Sequence, residues 1–88
     1  GGDNEKLAFT LLSKVHENEL LDLMSGRRCN ATLNARKLAF KYILSVPDFR
    51  KLDERGNSVL SSAIEHAFWG LSDDKEDNVK FVKYLKKI

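Results

Sequence analysis

The chain has little cysteine, histidine, proline or glycine. One cysteine and two histidines exclude an intrachain disulfide and a structural zinc site built from several cysteines. No apolar run approaches the roughly 18 residues that span a bilayer, and no signal-peptide core opens the chain. These absences predict a protein that does not enter a membrane and that resides in a reducing, intracellular compartment, most simply the cytoplasm.

One proline and five glycines among 88 residues leave long segments without helix breakers. With 42% hydrophobic residues the chain is not disordered, and its length suffices for one domain with a small core. We therefore predict a single small helical domain over residues 3–88. Gly1 and Gly2 are typical of a cloning remnant.

Charge is unevenly distributed along the chain. Residues 1–26 carry two lysines against five acidic residues, a net charge of −3, whereas residues 56–88 carry five charges of each sign. Residues 27–55 carry a net charge of +5. A basic segment of this kind attracts an acidic protein surface or a phosphate backbone. Its basic residues are Arg27, Arg28, Arg36, Lys37, Lys41, Arg50, Lys51 and Arg55.

Apolar side chains recur with the helical period along most of the chain, and no period-two pattern persists. Pro47 lacks an amide proton and disfavours helical geometry at the residue before it, so a helix must end near Ser45. Residues 46–57 then form an extended or finger-like connector, rich in turn-forming residues. The fold class is therefore all-α, with helices near residues 4–16, 32–45, 58–69 and 78–87 and a shorter helical piece near 18–25.

Short polar residues precede the predicted helices, and glycines follow two of them. Gly26 suits a left-handed position after the short helical piece, and Gly70 ends the helix of residues 58–69. A side-chain oxygen for the amide groups of a first helical turn is available at Asp3 or Asn4, Asn30 or Thr32, Ser58, and Asn78.

The apolar stripes of the helices define the predicted core. Arg36, Lys37 and Lys41 lie toward the other side of their helix, so we expect them to face solvent. The lysines of the last helix also face outward and suit the negative end of the helix dipole. The side chains that we expect to be largely buried are Leu11, Val15, Leu38, Tyr42, Leu60, Ala63, Ile64, Val82 and Leu85.

Residues with catalytic or metal-binding chemistry are few and isolated. His16 and His66 have no partner ligand at helical spacing, and Cys29 has no general base close in sequence. The acidic segment of residues 71–77 lacks the glycine and the ligand spacing of a calcium-binding loop. We therefore predict no catalytic residue, no metal site and no cofactor, and we do not expect an enzyme.

The connector and the helix after it carry a recognisable pattern. Residues 53–64, Asp-Glu-Arg-Gly-Asn-Ser-Val-Leu-Ser-Ser-Ala-Ile, resemble the opening of an ankyrin repeat, Asp-x-x-Gly-x-Thr-x-Leu-x-x-Ala. Ser58 stands at the threonine position. Residues 78–85 resemble the second helix of the repeat, and residues 42–49 resemble the end of a preceding second helix and its passage into the finger.

This resemblance implies stacked antiparallel helix pairs of ankyrin-like type joined by the finger-like connector. It is clearest over residues 43–88, although Val59 and Ser61 replace the usual proline and histidine. In the part of the chain before residue 43, the resemblance requires that residues 17–30 be an insertion. The chain is then a degenerate repeat pair, either a fragment or a cap of a longer array, and the alternative fold is an unrelated small helical bundle.

The resemblance also implies a function, because ankyrin repeats bind partner proteins through their finger tips and the inner face of the first helix in each pair. Trp69 is either an aromatic anchor of that interface or a seal at the end of the core. A basic finger implies an acidic partner surface. The implied partner-binding positions are Arg50, Lys51, Glu54, Arg55 and Asn57 in the finger, and Ser61, Ser62 and Glu65 on the inner helix.

The alternative function is a small basic nucleic-acid-binding domain. It requires the basic residues of the segment 27–55 to converge on one face and contact phosphates. Few aromatic residues are interleaved with them, which disfavours stacking on bases. Clustering or scattering of these side chains in the fold discriminates between the two functions.

Overall fold

A computed structural model describes residues 2–26, 32–73 and 75–88. Over these residues the chain forms five α-helices and no strand, which confirms the predicted all-α class. Two 3₁₀ turns lie at Pro47–Arg50 and Gly70–Asp73. None of the helices in the described parts of the chain has the length and apolar character that a bilayer crossing requires. The helices are α1 (Gly2–Leu12), α2 (Glu17–Ser25), α3 (Leu33–Ser45), α4 (Val59–Trp69) and α5 (Glu76–Lys87).

Three helix ends follow their predicted signals. The Thr32 hydroxyl accepts a hydrogen bond from the Ala35 amide at 3.1 Å and caps α3. Ser58 and Ser61 form a capping box at the start of α4, each side chain accepting from the other's amide at 3.0 and 2.8 Å. Gly26 follows α2 with φ of 74°, the left-handed region that favours glycine.

Two other capping predictions were wrong. Asp3 and Asn4 both lie inside α1 and not before its first residue. Asn78 lies in the first turn of α5, where it is buried and bonded to other parts of the fold. A short polar residue near a helix start has more than one use, and the tertiary environment decides which applies. Asn30 lies outside the described residues.

Helix α2 packs extensively against α4. Along α4 and the residue after it, Ala63, Ala67 and Gly70 follow one another at i, i+4 and i+7, so their small side chains permit a close approach. A Cβ atom on Gly70 would lie 2.6 Å from the carbonyl oxygen of Ser25 at the end of α2. Gly70 follows α4 as predicted, but its φ is −60°, so the close approach, and not a left-handed turn, requires glycine.

Helix α2, which lies in the segment that the resemblance makes an insertion, is part of the core. Leu20 and Met24 of α2 are 1% and 0% exposed. They lie in one cluster with the side chains of α3, α4 and α5. The buried apolar members of this cluster are Leu20, Met24, Ala39, Phe40, Ile43, Ala63, Ala67, Phe81 and Val82.

The predicted core is correct in part. Ala63 and Val82 are buried as predicted. Leu11 and Ile64 are 58% and 38% exposed, so their predicted burial was wrong. The remaining members are half-buried, namely Val15, Leu38, Tyr42, Leu60 and Leu85.

Helix α1 shows why Leu11 was misassigned. The helix has two apolar stripes, and its packing against α3 half-buries Phe9 and Leu12 while Leu11 stays exposed. The Phe9 ring meets the Tyr42 ring edge to face, with 5.6 Å between centroids. An aromatic ring removes more apolar area from water than a leucine does, so the stripe with Phe9 faces the fold.

A buried arginine joins three helices. Arg36 of α3 is 3% exposed, so its predicted solvent position was wrong. Its guanidinium donates to the carbonyls of Leu23 and Met24 at 2.9 and 2.8 Å, and to the Asn78 side-chain oxygen at 2.8 Å. The guanidinium carbon lies 4.6 Å from the centre of the Phe81 ring. Arg36 thus ties the carboxyl end of α2, where the helix dipole favours a cation, to α3 and α5.

Asn78 extends this cluster to the link between α4 and α5. Its side-chain oxygen accepts from Arg36, and its amide nitrogen donates to the Gly70 carbonyl at 2.8 Å. Asn78 is 2% exposed, and among the described residues no buried side-chain polar atom lacks a hydrogen-bond partner. The cluster is therefore a satisfied structural network and not an orphaned site.

Candidate functional site

The finger, residues 46–57, ends in a turn that Asp53 organises. Its carboxylate accepts hydrogen bonds from the amides of Arg55 and Asn57, both at 2.9 Å. The Asp53 amide donates to the Asn57 carbonyl at 2.7 Å, and the Gly56 amide donates to the Asp53 carbonyl at 3.0 Å. Gly56 has φ of 81°, which glycine adopts without strain. These local bonds fix the tip without help from the core.

The five predicted finger positions all lie on the exposed surface. Lys51 pairs with Asp48 at 3.1 Å, and both side chains are more than three-quarters exposed, so the pair adds little stability. The Arg50 guanidinium donates to the Leu44 carbonyl at 3.2 Å, which holds the arginine against the end of α3. Glu54 and Arg55 occupy the tip.

The finger is less basic than the segment around it. It carries three basic and three acidic residues, and the Asp53 carboxylate is engaged by its own backbone. The surface therefore presents mixed charge, with Arg50 and Arg55 as its arginines. Arginine is well suited to interfaces because its planar group bonds carboxylates in a bidentate manner.

Leu52 is a finger residue that the sequence reasoning missed. Its side chain is 70% exposed, between the exposed Lys51 and Asp53. Together with Asp53, Glu54 and Arg55 it lines an open depression of about 490 Å³. An exposed leucine flanked by turn residues gave no periodic signal, because connectors lack a regular spacing.

The predicted positions on α4 differ in accessibility. Glu65 is exposed and Ser62 is half-buried. Ser61 is exposed, but its hydroxyl accepts from the Ser58 amide at 2.8 Å and donates to the Ser58 carbonyl at 2.9 Å. Ser61 therefore has a structural role at the start of α4, whereas Glu65 is exposed further along the helix.

Trp69 lies at the carboxyl end of α4, where it is 49% exposed. Its ring packs on His66 one turn earlier, with 4.5 Å between centroids and 41° between planes. Half of its large aromatic surface remains in water. Phe68 beside it is 44% exposed, so the end of α4 presents two aromatic rings.

An apolar groove, which no local sequence pattern indicates, lies where α3, α4 and α5 meet. Its volume is about 230 Å³. An apolar cavity of about 150 Å³ already holds a benzene-sized group, so the groove has room for aliphatic side chains. Its lining residues are Phe40, Leu44, Leu60, Ile64, Phe68, Leu85, Lys86 and Ile88.

The basic residues required for nucleic-acid binding do not all reach the surface. Arg36 is buried in the network described above, and Arg27 and Arg28 lie outside the described residues. Lys37 is half-buried, with its ammonium 5.0 Å from the centre of the Tyr84 ring. Because Arg36 is buried, it is not available to contact phosphates, and one of the eight basic residues of the segment 27–55 is lost to nucleic-acid binding.

Other chemistry is sparse in the described parts of the chain. Residues 2–26, 32–73 and 75–88 contain no group of three or more histidine, cysteine or acidic side chains placed to hold a metal ion. The His16 ring nitrogen accepts from the Asn18 amide at 3.2 Å and caps α2, whereas His66 packs on Trp69. Cys29 lies outside these residues.

Comparison with protein-family models, with curated proteins and with solved structures finds no match to this chain.

Proposed function

We propose that the protein is a non-catalytic protein-interaction module of ankyrin-repeat type that binds a partner protein through the finger and the adjoining face of α4. The observation that supports this proposal most is the turn at the finger tip, because Asp53 and Gly56, which form it, belong to the segment that resembles an ankyrin repeat. The turn is followed directly by the capping box that Ser58 and Ser61 form at the start of α4. A rigid exposed tip is a suitable binding element, since it loses little conformational entropy on binding.

The order of helix contacts supports this proposal. Helix α2 contacts α3, and α4 contacts α5, as the two helices of a repeat do. Helix α2 also contacts α4, and α3 contacts α5, so corresponding helices of the two pairs are neighbours. Stacked repeats have this order, in which each pair covers the apolar face of the next.

The side chains of this surface suggest the chemistry of the partner. Arg50 and Arg55 bond carboxylates well, and Leu52 offers an apolar contact within the charged tip. Trp69 adds half-exposed aromatic area at the far end of α4. The proposed partner is a protein whose binding surface combines acidic side chains with a small apolar contact. Aromatic and arginine residues dominate binding energy at such interfaces.

A triple charge reversal tests the proposal. Arg50→Glu, Lys51→Glu and Arg55→Glu change exposed residues, so the fold should persist while binding is lost. The matched control is Lys75→Glu, Lys80→Glu and Lys83→Glu, which changes the total charge equally at exposed positions of α5 and the residue before it. Immobilised wild type and both variants are used for affinity capture from nuclease-treated extract, and binding of each recovered protein is then measured by calorimetry.

The proposal expects a protein that wild type and control recover equally and that the finger variant binds at least about tenfold more weakly, a loss of about 1.4 kcal/mol. Equal affinity of the finger variant at low ionic strength would contradict it. Recovery that depends on nucleic acid would favour the alternative function. Circular dichroism of the three proteins checks that the fold is intact.

A further inference from the structure

An open pocket lies between α3 and α5, and it shares no lining residue with the apolar groove. Four of its lining residues lie on α3 at positions i, i+3, i+4 and i+7, which share one face of a helix, and the fifth comes from α5. Its volume is about 300 Å³, at the lower end of the range for small-molecule sites. The residues that line this α3–α5 pocket are Asn34, Lys37, Leu38, Lys41 and Tyr84.

The charge of the α3–α5 pocket is positive. Two of its described lining residues are lysines, and none of them is acidic. Within residues 2–26, 32–73 and 75–88, neither Lys37 nor Lys41 has an acidic side chain within ion-pair distance, whereas Lys51 and Lys80 do. Two lysines four residues apart on a helix repel each other. An anion bound between them would relieve this repulsion.

Contacts with the core hold one of these lysines in position. The Lys37 ammonium lies 5.0 Å from the centre of the Tyr84 ring. The Tyr84 ring stacks on the Phe81 ring, with 6.3 Å between centroids and 15° between planes, and Phe81 is fully buried. A cation–π contact fixes the ammonium without neutralising its charge. The pocket therefore presents a positioned cation before a ligand arrives, which reduces the entropy lost on binding.

The lining residues indicate the chemistry of the ligand. A phosphate monoester carries a charge of about −1.5 to −2 at neutral pH and three acceptor oxygens, which two ammonium groups match. Lysine binds phosphate as a point charge, whereas the planar group of arginine, which suits carboxylates better, is absent from the described lining. Asn34 lies in the first turn of α3, where the helix dipole also favours an anion. Leu38 offers an apolar wall to the organic part of a ligand.

We propose that the α3–α5 pocket binds a small phosphate monoester, with the phosphate group between Lys37 and Lys41 and the organic part against Leu38 and Tyr84. A phosphodiester, as in a nucleic-acid backbone, carries a single negative charge per phosphate and matches the two lysines less well. None of the described lining residues belongs to the finger or to α4, so this proposal does not rest on the proposed function.

Titration followed by the amide NMR signals of the protein tests the proposal, because it measures affinity and also locates the site. The probes are ribose 5-phosphate and adenosine 5′-monophosphate, with ribose and adenosine as the matching compounds without phosphate. An oligothymidylate without a terminal phosphate tests phosphodiesters. The pocket variant carries Lys37→Gln and Lys41→Gln. The matched control carries Lys6→Gln and Lys14→Gln, which remove the same charge at exposed residues outside the pocket.

Wild type and the control variant should bind both monoesters, with the largest shifts at the amides of the residues that line the pocket. The pocket variant should bind them at least about tenfold more weakly, and added salt should weaken binding to wild type. Ribose and adenosine should cause no such shifts. Because Lys37 is half-buried and Lys41 is exposed, helical circular dichroism should be unchanged. If the pocket variant loses it, Lys41→Gln alone replaces that variant.

Three results would overturn the proposal. The first is a wild-type protein that shows no shifts with either monoester at millimolar concentration. The second is a pocket variant that binds the monoesters as tightly as wild type, which would place the anion elsewhere. The third is tighter binding of the oligothymidylate than of either monoester, which would make the pocket part of a nucleic-acid surface.

Discussion

Replacement of Arg36 by methionine tests the buried network most directly. Methionine fills similar space but removes the three hydrogen bonds described above, so the carbonyls of Leu23 and Met24 and the side-chain oxygen of Asn78 lose these donors inside the fold. A buried hydrogen bond to a charged group contributes about 1.5–3 kcal/mol. The three bonds belong to one group and do not simply add, and each buried acceptor that is left without a donor costs about 1–3 kcal/mol.

This loss is large for a chain of 88 residues, whose stability at about 0.05–0.15 kcal/mol per residue is about 4–13 kcal/mol. Arg36→Met should therefore lower the urea midpoint sharply or leave the chain partly unfolded in water. The assay is urea unfolding followed by far-UV circular dichroism. Lys41→Met is the matched control, since it removes an exposed cation from the same helix and should change stability by less than about 0.5 kcal/mol.

A double-mutant cycle with Asn78→Ala separates the network from simple loss of packing. If Arg36 and Asn78 act together, the double variant loses less stability than the sum of the single variants, with a coupling of about 0.5–3 kcal/mol. Arg36→Lys should recover part of the loss, because lysine keeps the charge but not the planar set of donors. If Arg36→Met is as stable as Lys41→Met, the reasoning about the network is refuted.

Two further substitutions probe the packing. Gly70→Ala should destabilise the protein by at least about 1–3 kcal/mol, because the new Cβ atom would lie 2.6 Å from the backbone of α2. Gly56→Ala should cost only about 1–2 kcal/mol, because the site has open space and the cost comes from its φ of 81°. Thermal unfolding of the two variants compares these losses of stability. Ile43→Ala should cost about 2–5 kcal/mol because Ile43 is fully buried. Leu60→Ala should cost less, since Leu60 is half-buried beside the apolar groove, and equal losses in urea unfolding would contradict this assignment of the core.

The candidate site was predictable to different degrees along the chain. The finger followed from its own sequence, because the Asp53 carboxylate, Gly56 and Ser58 make their bonds within a few residues. The apolar groove did not, since Phe40, Ile64 and Leu85 come from three helices whose relative placement no local pattern encodes. Ser61 was predicted as a binding residue, but the neighbouring Ser58 amide engages its side chain.

Local physical chemistry, read from the sequence, determined where α2, α3 and α4 lie, whereas α1 ends at Leu12 and not near residue 16. Caps such as Thr32 and Ser58, the left-handed Gly26 and the break at Pro47 act over a few residues, so their effects are visible in the order of the side chains. The all-α class and the single finger follow from these signals together with the apolar period.

Tertiary structure decided which face of each helix is buried. Leu11 and Phe9 both belong to apolar stripes of α1, and the choice between them depends on the Tyr42 ring of α3. Arg36 lies among lysines in the sequence, yet it is buried because the carbonyls at the end of α2 and the Asn78 side chain come together around it. Burial of a charge needs partners that are distant along the chain, and only packing of the helices brings them within hydrogen-bonding distance.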